Sequence, residues 1–260
     1  MQRITSVHNV LVKKALRLRE AKDRCVSGET IIDGVREIKR ALEAGVLLEK
    51  VFVVEGFKDG ILAPLASRQV EIIETTNQIM EKLAYGKRHE GMIALSKPKR
   101  WTFDDLKLSA HPLVVIVEAL EKPGNLGAIL RTCDGVGVEV VFVCDPKTDV
   151  YNPNVIRSST GTVFKIPVVC ADAPLILSFL KSKKIKICAA APEAKKIYTQ
   201  VPLKGAWALV FGSEDEGLSD FWLKVSDETV RIPMKGMADS LNVSISAAII
   251  LYEAFRQRQI

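Results

Sequence analysis

The sequence predicts an α/β protein built as two domains, and three observations predict it. Short apolar runs alternate with segments of helical period along nearly the whole chain. The runs at 113–120, 139–144 and 207–211 are almost wholly apolar, as in strands buried on both faces of a parallel sheet. The alternation is interrupted once, by KPKRWTFDDLKLSAHP at 97–112, where prolines flank a stretch of mixed charge. We therefore expect a first domain at 1–97, a linker at 98–111 and a second domain at 112–260, a division in keeping with 260 residues.

In the first domain, residues 6–24 have helical period, with Leu11, Ala15 and Leu18 on one stripe and Lys13, Lys14, Arg17 and Arg24 mostly off it. This basic face either grips RNA or is an ordinary solvated surface. Strands are expected at 30–32, 50–54, 70–73 and 92–95, and helices at 35–44, 61–67 and 78–84, giving a mostly parallel sheet. Gly45 suits the left-handed position just past a helix end. Trp101 and Phe103 in the linker either stack on a base or pack against a domain.

The second domain continues the pattern. Strands are expected at 113–120, 139–144, 163–169, 185–190, 207–211 and 228–232, with helices at 127–135, near 157–160, at 174–183 and from about 241 to 258.

Composition narrows the partners. The net charge is +6, and twenty of the basic residues against fifteen acidic ones fall within residues 1–110, so a polyanion would meet the front of the chain. Five scattered cysteines without a C-x-x-C pair suit reduced thiols in a cytosol. Three histidines, none spaced with a cysteine, point to no metal. A signal-peptide core is not expected at the N-terminus, and apolar runs fall short of the roughly 18 residues of a membrane span.

Four segments carry chemistry. EALEKPGNLGAILRTCD at 118–134 opens a helix after a buried strand, where open α/β sheets bind ligands. Asn125 could cap this helix, and Arg131 either serves the site or pairs with Asp134. The spacing is Gly-x-x-Gly, so the dinucleotide fingerprint of an oxidoreductase is missing. VYNPNVIRSSTGTVFKIP at 150–167 gathers Asn154, Arg157, Ser158, Ser159 and Thr160, donors of the kinds that hold phosphate, although a polar helix end has the same composition. In VFGSEDEGL at 210–218, Gly212 would admit a ligand at the strand end, with Glu214 or Glu216 supplying negative charge. IPMKGMADSLNVSISAAIIL at 232–251 places Ser240, Asn242, Ser244 and Ser246 at a strand-to-helix joint, either to meet something polar or to bond back to the helix.

Taken in order, PGNLGAILRT, NVIRSSTGTVFKIPV, LVFGSEDEGL and IPMKGMADSLNVSISAAI resemble the successive motifs of the SpoU/TrmH family of the SPOUT superfamily, the RNA ribose 2′-O-methyltransferases dependent on S-adenosylmethionine. The likeness covers about 110–258. The front of the chain, notably 31–46 and HEGMIAL at 89–95, is more loosely similar to the family's small ribosomal-protein-like substrate-binding domain. Thr162 departs from the family, which usually has alanine there.

The resemblance implies a parallel-sheet domain tied in a deep trefoil knot and a homodimer formed through it. Gly212, Ile232 and Leu241 would bind S-adenosylmethionine. Asn125, Arg131, Glu214, Ser240 and Asn242 match the family's active-site positions, and Arg157 and Ser159 its RNA contacts. With Asn154, Lys13, Lys14 and Arg17 added from their chemistry, the expected activity is 2′-O-methylation of structured RNA in the cytoplasm. The extra N-terminal domain favours large-subunit ribosomal RNA over tRNA. An antibiotic-resistance methylase and a non-catalytic assembly factor share this plan, although none of the five active-site matches is missing.

Overall fold

The computed structural model describes residues 2–86 and 89–259, which form two compact units. In the first, β1 (Gln2–Ile4), α1 (Val10–Arg17), α2 (Ala21–Ser27), β2 (Thr30–Asp33), α3 (Val35–Glu43), β3 (Leu47–Val54), α4 (Leu62–Ser67), β4 (Glu71–Thr75), α5 (Asn77–Leu83) and β5 (Met92–Lys97) follow one another. The five strands lie in the order β1-β4-β3-β5-β2. The expected mostly parallel sheet is a mixed one: β1, β4 and β3 run parallel, while β5 is antiparallel to both β3 and β2. Phe52, Ile73 and Ile93, adjacent across the sheet, bury one face against Val12, Ala15 and Leu18 of the first helical segment and Ile79, Met80 and Leu83 of α5.

The single helix expected over 6–24 is two. The chain turns at Leu18–Glu20, and the guanidinium of Arg24 donates to the carbonyls of Leu18 (2.9 Å) and Arg19 (2.6 Å) that the break sets free. Arg24 is therefore buried rather than part of the basic surface.

The second unit contains β6 (Leu113–Glu118), α6 (Pro123–Val136), β7 (Val140–Cys144), then, beyond a helix described below, β8 (Val168–Cys170), α8 (Ala173–Ser182), β9 (Lys186–Ala190), β10 (Lys196–Ile197), β11 (Trp207–Phe211), α9 (Asp220–Val225), β12 (Glu228–Arg231) and α10 (Val243–Gln259). All seven strands are parallel, in the order β10-β12-β9-β11-β6-β7-β8. Every residue of the adjacent β11, β6 and β7 is buried, which explains their apolar runs. The strand expected at 163–169 is a 3-10 turn (Thr162–Phe164) followed by the short β8. The linker packs rather than stacking on a base: the Phe103 ring lies 5.5 Å from Phe142 and 5.1 Å from Phe179, and Trp101 joins the same core. At the far end of α10, Arg258 donates to the carbonyls of His111, Leu203 and Gly205, fixing the segments that enter β6 and β11.

Residues 149–165, expected in the second domain, fold with the first unit. Their helix α7 (Pro153–Ser158) is preceded by Asp149, which pairs with Arg24, and by Tyr151, whose carbonyl accepts from Thr30 (2.8 Å) and whose hydroxyl donates to the Lys99 carbonyl (2.6 Å). After the helix, Arg40 donates to both oxygens of Thr160, which holds a positive φ of 55°.

Burial pushes the Cys144 thiol up to about 11, helped by nearby Glu118, and Cys188 up to about 12, so both are packing groups. Among the described residues, no helix is long and apolar enough to cross a membrane, and no cluster of His, Cys, Asp and Glu could hold a metal ion.

Candidate active site

Because β9, β11 and β12 are parallel and adjacent, the loops that leave them emerge at one edge of the sheet. These loops surround a cavity of about 670 Å3, whose wall includes Gly212, Glu214, Ile232, Ser240, Leu241 and Asn242. Six of the eight residues expected at the catalytic and cofactor positions thus meet in one place. Asn125, in the first turn of α6, is fastened to two of them: its Nδ2 donates to Glu214 Oε1, and its Oδ1 accepts from Asn242 Nδ2 at 3.2 Å. Asn125 is not the cap of its helix, since Lys122 occupies that position.

Asn242 is the residue that starts α10. Its Oδ1 accepts from the Ser244 backbone (2.9 Å) and hydroxyl (2.6 Å), and its carbonyl accepts from Ile245 and Ser246. Ser244 is thus tied to the Asn242 side chain rather than to a carbonyl one turn back along the helix. Ser240 is exposed just before it.

Gly212 is required by the loop itself, whatever approaches it from the cavity. A Cβ there would stand 2.1 Å from the carbonyl carbon and oxygen of Gly217 and 2.4 Å from the Leu218 nitrogen. The loop closes tightly on itself through Ser213 and Gly217, which exchange backbone hydrogen bonds of 3.0 and 3.2 Å. Beyond it, the Ser219 backbone and hydroxyl donate to the buried Glu118 carboxylate at 2.8 and 2.7 Å.

Arg131 lies elsewhere. Six residues along α6 from Asn125, it is about 9 Å further on and on a different face. It is exposed, is not part of the cavity wall, and its side chain makes no hydrogen bond or ion pair with a described residue.

Residues 112–252 match the model of the SpoU rRNA Methylase family, more than half of the chain. The chain belongs to the SpoU rRNA methylase family. Residues 9–94 match the MRM3-like substrate binding domain. The chain is 32% identical over 239 residues to the 23S rRNA (guanosine-2′-O-)-methyltransferase RlmB of Escherichia coli K12, covering 88% of this chain and 98% of that one. Among solved structures, it resembles an RNA 2′-O ribose methyltransferase at 40% identity, with a TM-score of 0.88 and full coverage of both chains. It also resembles the SpoU methyltransferase AviRb from Streptomyces viridochromogenes in complex with AdoMet, at 26% identity and a TM-score of 0.89, covering 96% of this chain and 99% of that one. The seven-stranded parallel sheet is thus the SPOUT methyltransferase fold.

The residues expected to meet RNA are divided by the SpoU fold. Arg157 is exposed in the last turn of α7, where its Nη1 donates to the Tyr85 carbonyl (2.7 Å) and lies 3.7 Å from Asp33. Asn154 is half-buried, and its carbonyl accepts from the Ser158 hydroxyl. Ser159 cannot touch a phosphate as it stands: it is fully buried, and its hydroxyl donates to the Ile156 carbonyl at 3.0 Å. Lys13 and Arg17 are exposed on α1. Lys14 is committed to Glu29 (2.8 Å) and Glu49 (3.6 Å); burial, which alone would lower its pKa, is outweighed by these two carboxylates.

The sequence reading missed the cavity wall at Ala190–Glu193, after β9, and the Glu118 anchor. Glu118 had a visible signal, as the one charge in an otherwise apolar strand. The stretch at 190–193 had none, because alanines and a proline at a strand end have the composition of any turn.

Proposed function

We propose that this chain methylates a ribose 2′-hydroxyl of large-subunit ribosomal RNA. The observation that carries the reading is the cavity at the carboxyl ends of β9, β11 and β12, with Asn125 fastened to both Glu214 and Asn242 of its wall.

The cavity suits the family's cofactor. Its size lies within the roughly 300–1,000 Å3 of small-molecule sites. Glu193, Glu214, Asp215, Glu216 and Asp239 line it, acceptors and negative charges suited to a ligand with a cationic sulfur and an ammonium group, while Ile232, Leu241 and Ile250 offer apolar surface to a base. S-adenosylmethionine, when bound, supplies an activated methyl group on a positively charged sulfur.

The chain's own residues then have separable tasks. Glu214 complements the cofactor's positive charge. Asn125 already uses one amide hydrogen and one carbonyl lone pair to bracket Glu214 and Asn242, leaving one of each for the ribose or the methionine end. Ser240 offers a free-standing hydroxyl at the rim. The attacking 2′-hydroxyl must lose a proton, and Arg131 cannot accept it because a guanidinium is effectively always protonated. Arg131, exposed and outside the cavity wall, instead holds a phosphate of the RNA and so positions the ribose, while water or a phosphate oxygen takes the proton. Arg157, Lys13 and Arg17 meet the RNA backbone.

We also propose a deep trefoil knot formed by the C-terminal segment, a cytoplasmic location and a homodimer through the second unit. The dimer is supported by Ile245 and Tyr252, two turns apart on one face of α10 and 51% and 54% exposed. Sedimentation at micromolar concentration should give twice the 28.7 kDa of one chain, and Ile245→Asp with Tyr252→Asp should give the monomer. A monomeric wild type would remove the dimer from the reading.

The activity is tested by incubating the protein and labelled S-adenosylmethionine with unmodified ribosomal RNA and tRNA, then mapping 2′-O-methyl sites. Label is expected in 23S RNA. Label only in tRNA would replace the substrate, and label in neither would overturn the activity.

A further inference from the structure

The turn after α5 is held by side chains from three distant segments of the first unit. Arg19, between α1 and α2, donates Nη2 to the carbonyls of Leu83 (3.0 Å) and Ala84. Asp33, at the end of β2, accepts from the Tyr85 backbone nitrogen at 2.6 Å. Arg157, in the last turn of α7, donates to the Tyr85 carbonyl. Backbone groups of three successive residues are thus fixed by charged groups, an uncommon investment for a surface turn.

The ring that this arrangement presents is partly open to solvent. Tyr85 is 39% exposed, and its side chain has no hydrogen bond or ring contact with a described residue. An exposed aromatic normally loses conformational freedom when it binds a partner. Here the backbone that carries it is already fixed.

The surroundings select the partner. Guanidinium groups of Arg19 and Arg157 flank the turn, whereas the carboxylates beside it are committed: Asp33 to the Tyr85 nitrogen and Arg157, and Glu90 to the Val35 nitrogen at 3.0 Å. An aromatic face next to cationic groups fits an unpaired nucleotide, with its base on the ring and its phosphate at the guanidinium. An apolar protein partner would satisfy the ring alone and make no use of the exposed Arg157 guanidinium beside it.

We propose that Tyr85 is a base-stacking residue for the RNA substrate, with Arg157 serving both to hold the turn and to meet the nucleotide's phosphate. This rests on the reading of the chain as an RNA methyltransferase and extends its RNA-binding surface to a residue outside the matched motifs.

The test uses the full chain, a fragment of 23S RNA, and the variants Tyr85→Ala and Tyr85→Phe. Tyr85→Ala is expected to weaken RNA binding about 5- to 100-fold, the loss of one stacked base. Tyr85→Phe should stay within about twofold of wild type, because the face is retained. S-adenosylmethionine affinity should be unchanged in both and the melting temperature should stay close to wild type, since the ring makes no hydrogen bond or ring contact with a described residue. RNA carrying 4-thiouridine should cross-link to Tyr85 on illumination. Wild-type RNA affinity in the alanine variant would overturn the proposal, as would a phenylalanine variant as weak as alanine, which would assign the effect to the hydroxyl. A wild-type chain that binds neither ribosomal RNA nor tRNA would remove the substrate reading itself, and this proposal with it.

Discussion

Arg131→Ala is expected to lower kcat about 100-fold or more while leaving S-adenosylmethionine affinity within about twofold. The separation follows from where Arg131 stands. It is exposed on α6, its side chain bonded to no described residue and absent from the cavity wall, so its loss should disturb neither the fold nor the cofactor site. Alanine is also the best helix former, which keeps α6 intact. Arg131→Lys distinguishes a charge from a fork: lysine keeps the positive charge but cannot form two parallel hydrogen bonds to a phosphate. Single-turnover methylation across a pH series should show the lysine variant only partly recovered. Wild-type turnover in the lysine variant would eliminate the bidentate role, and wild-type turnover in the alanine variant would remove Arg131 from the mechanism.

Gly212→Ala is expected to reduce S-adenosylmethionine affinity by at least about 100-fold. The added methyl would stand 2.1 Å from backbone atoms of Gly217, which no side-chain rotation can move away. Overpacking of this kind typically costs about 1–3 kcal/mol or more, and here it falls on the Ser213–Gly217 pairing that closes the cavity wall. Gly217→Ala is the control. It has open space but a φ of 70°, so it should lose only the roughly 1 kcal/mol of a strained left-handed residue. Calorimetric titration of both variants ranks them, and a Gly212→Ala chain that binds the cofactor normally would show that the loop closure does not matter.

Much of the second unit was legible because its strands are buried on both faces and so carry continuous apolar runs, which a sequence displays directly. Of the loops that meet at the cavity, the one after β11 was legible for the same reason, because it follows such a run, whereas the stretch after β9 was not. The antiparallel setting of β5 was not, since direction leaves no mark on a short strand's composition. Nor was the fate of individual polar residues. Arg24 and Ser159 have the same character on paper as Arg157, and only tertiary placement buries the first two and exposes the third. Gly212 carries a constraint that its sequence context does not display: the protein's own loop at Gly217 occupies the space a side chain would need.

The return of residues 149–165 to the first unit has a consequence for how the molecule is made and how it can be taken apart. As the chain leaves the ribosome, the N-terminal sheet is complete by Lys97, yet the carboxylate partner of Arg24 and the Thr160 oxygens that Arg40 binds emerge only later. Folding of the front unit therefore overlaps with synthesis of the back one. Likewise, a single cut near residue 99 leaves α7 and its flanks without the surface they pack on. A graft that exchanges the substrate-binding part between relatives has to carry three junctions, at 99/100, 148/149 and 165/166.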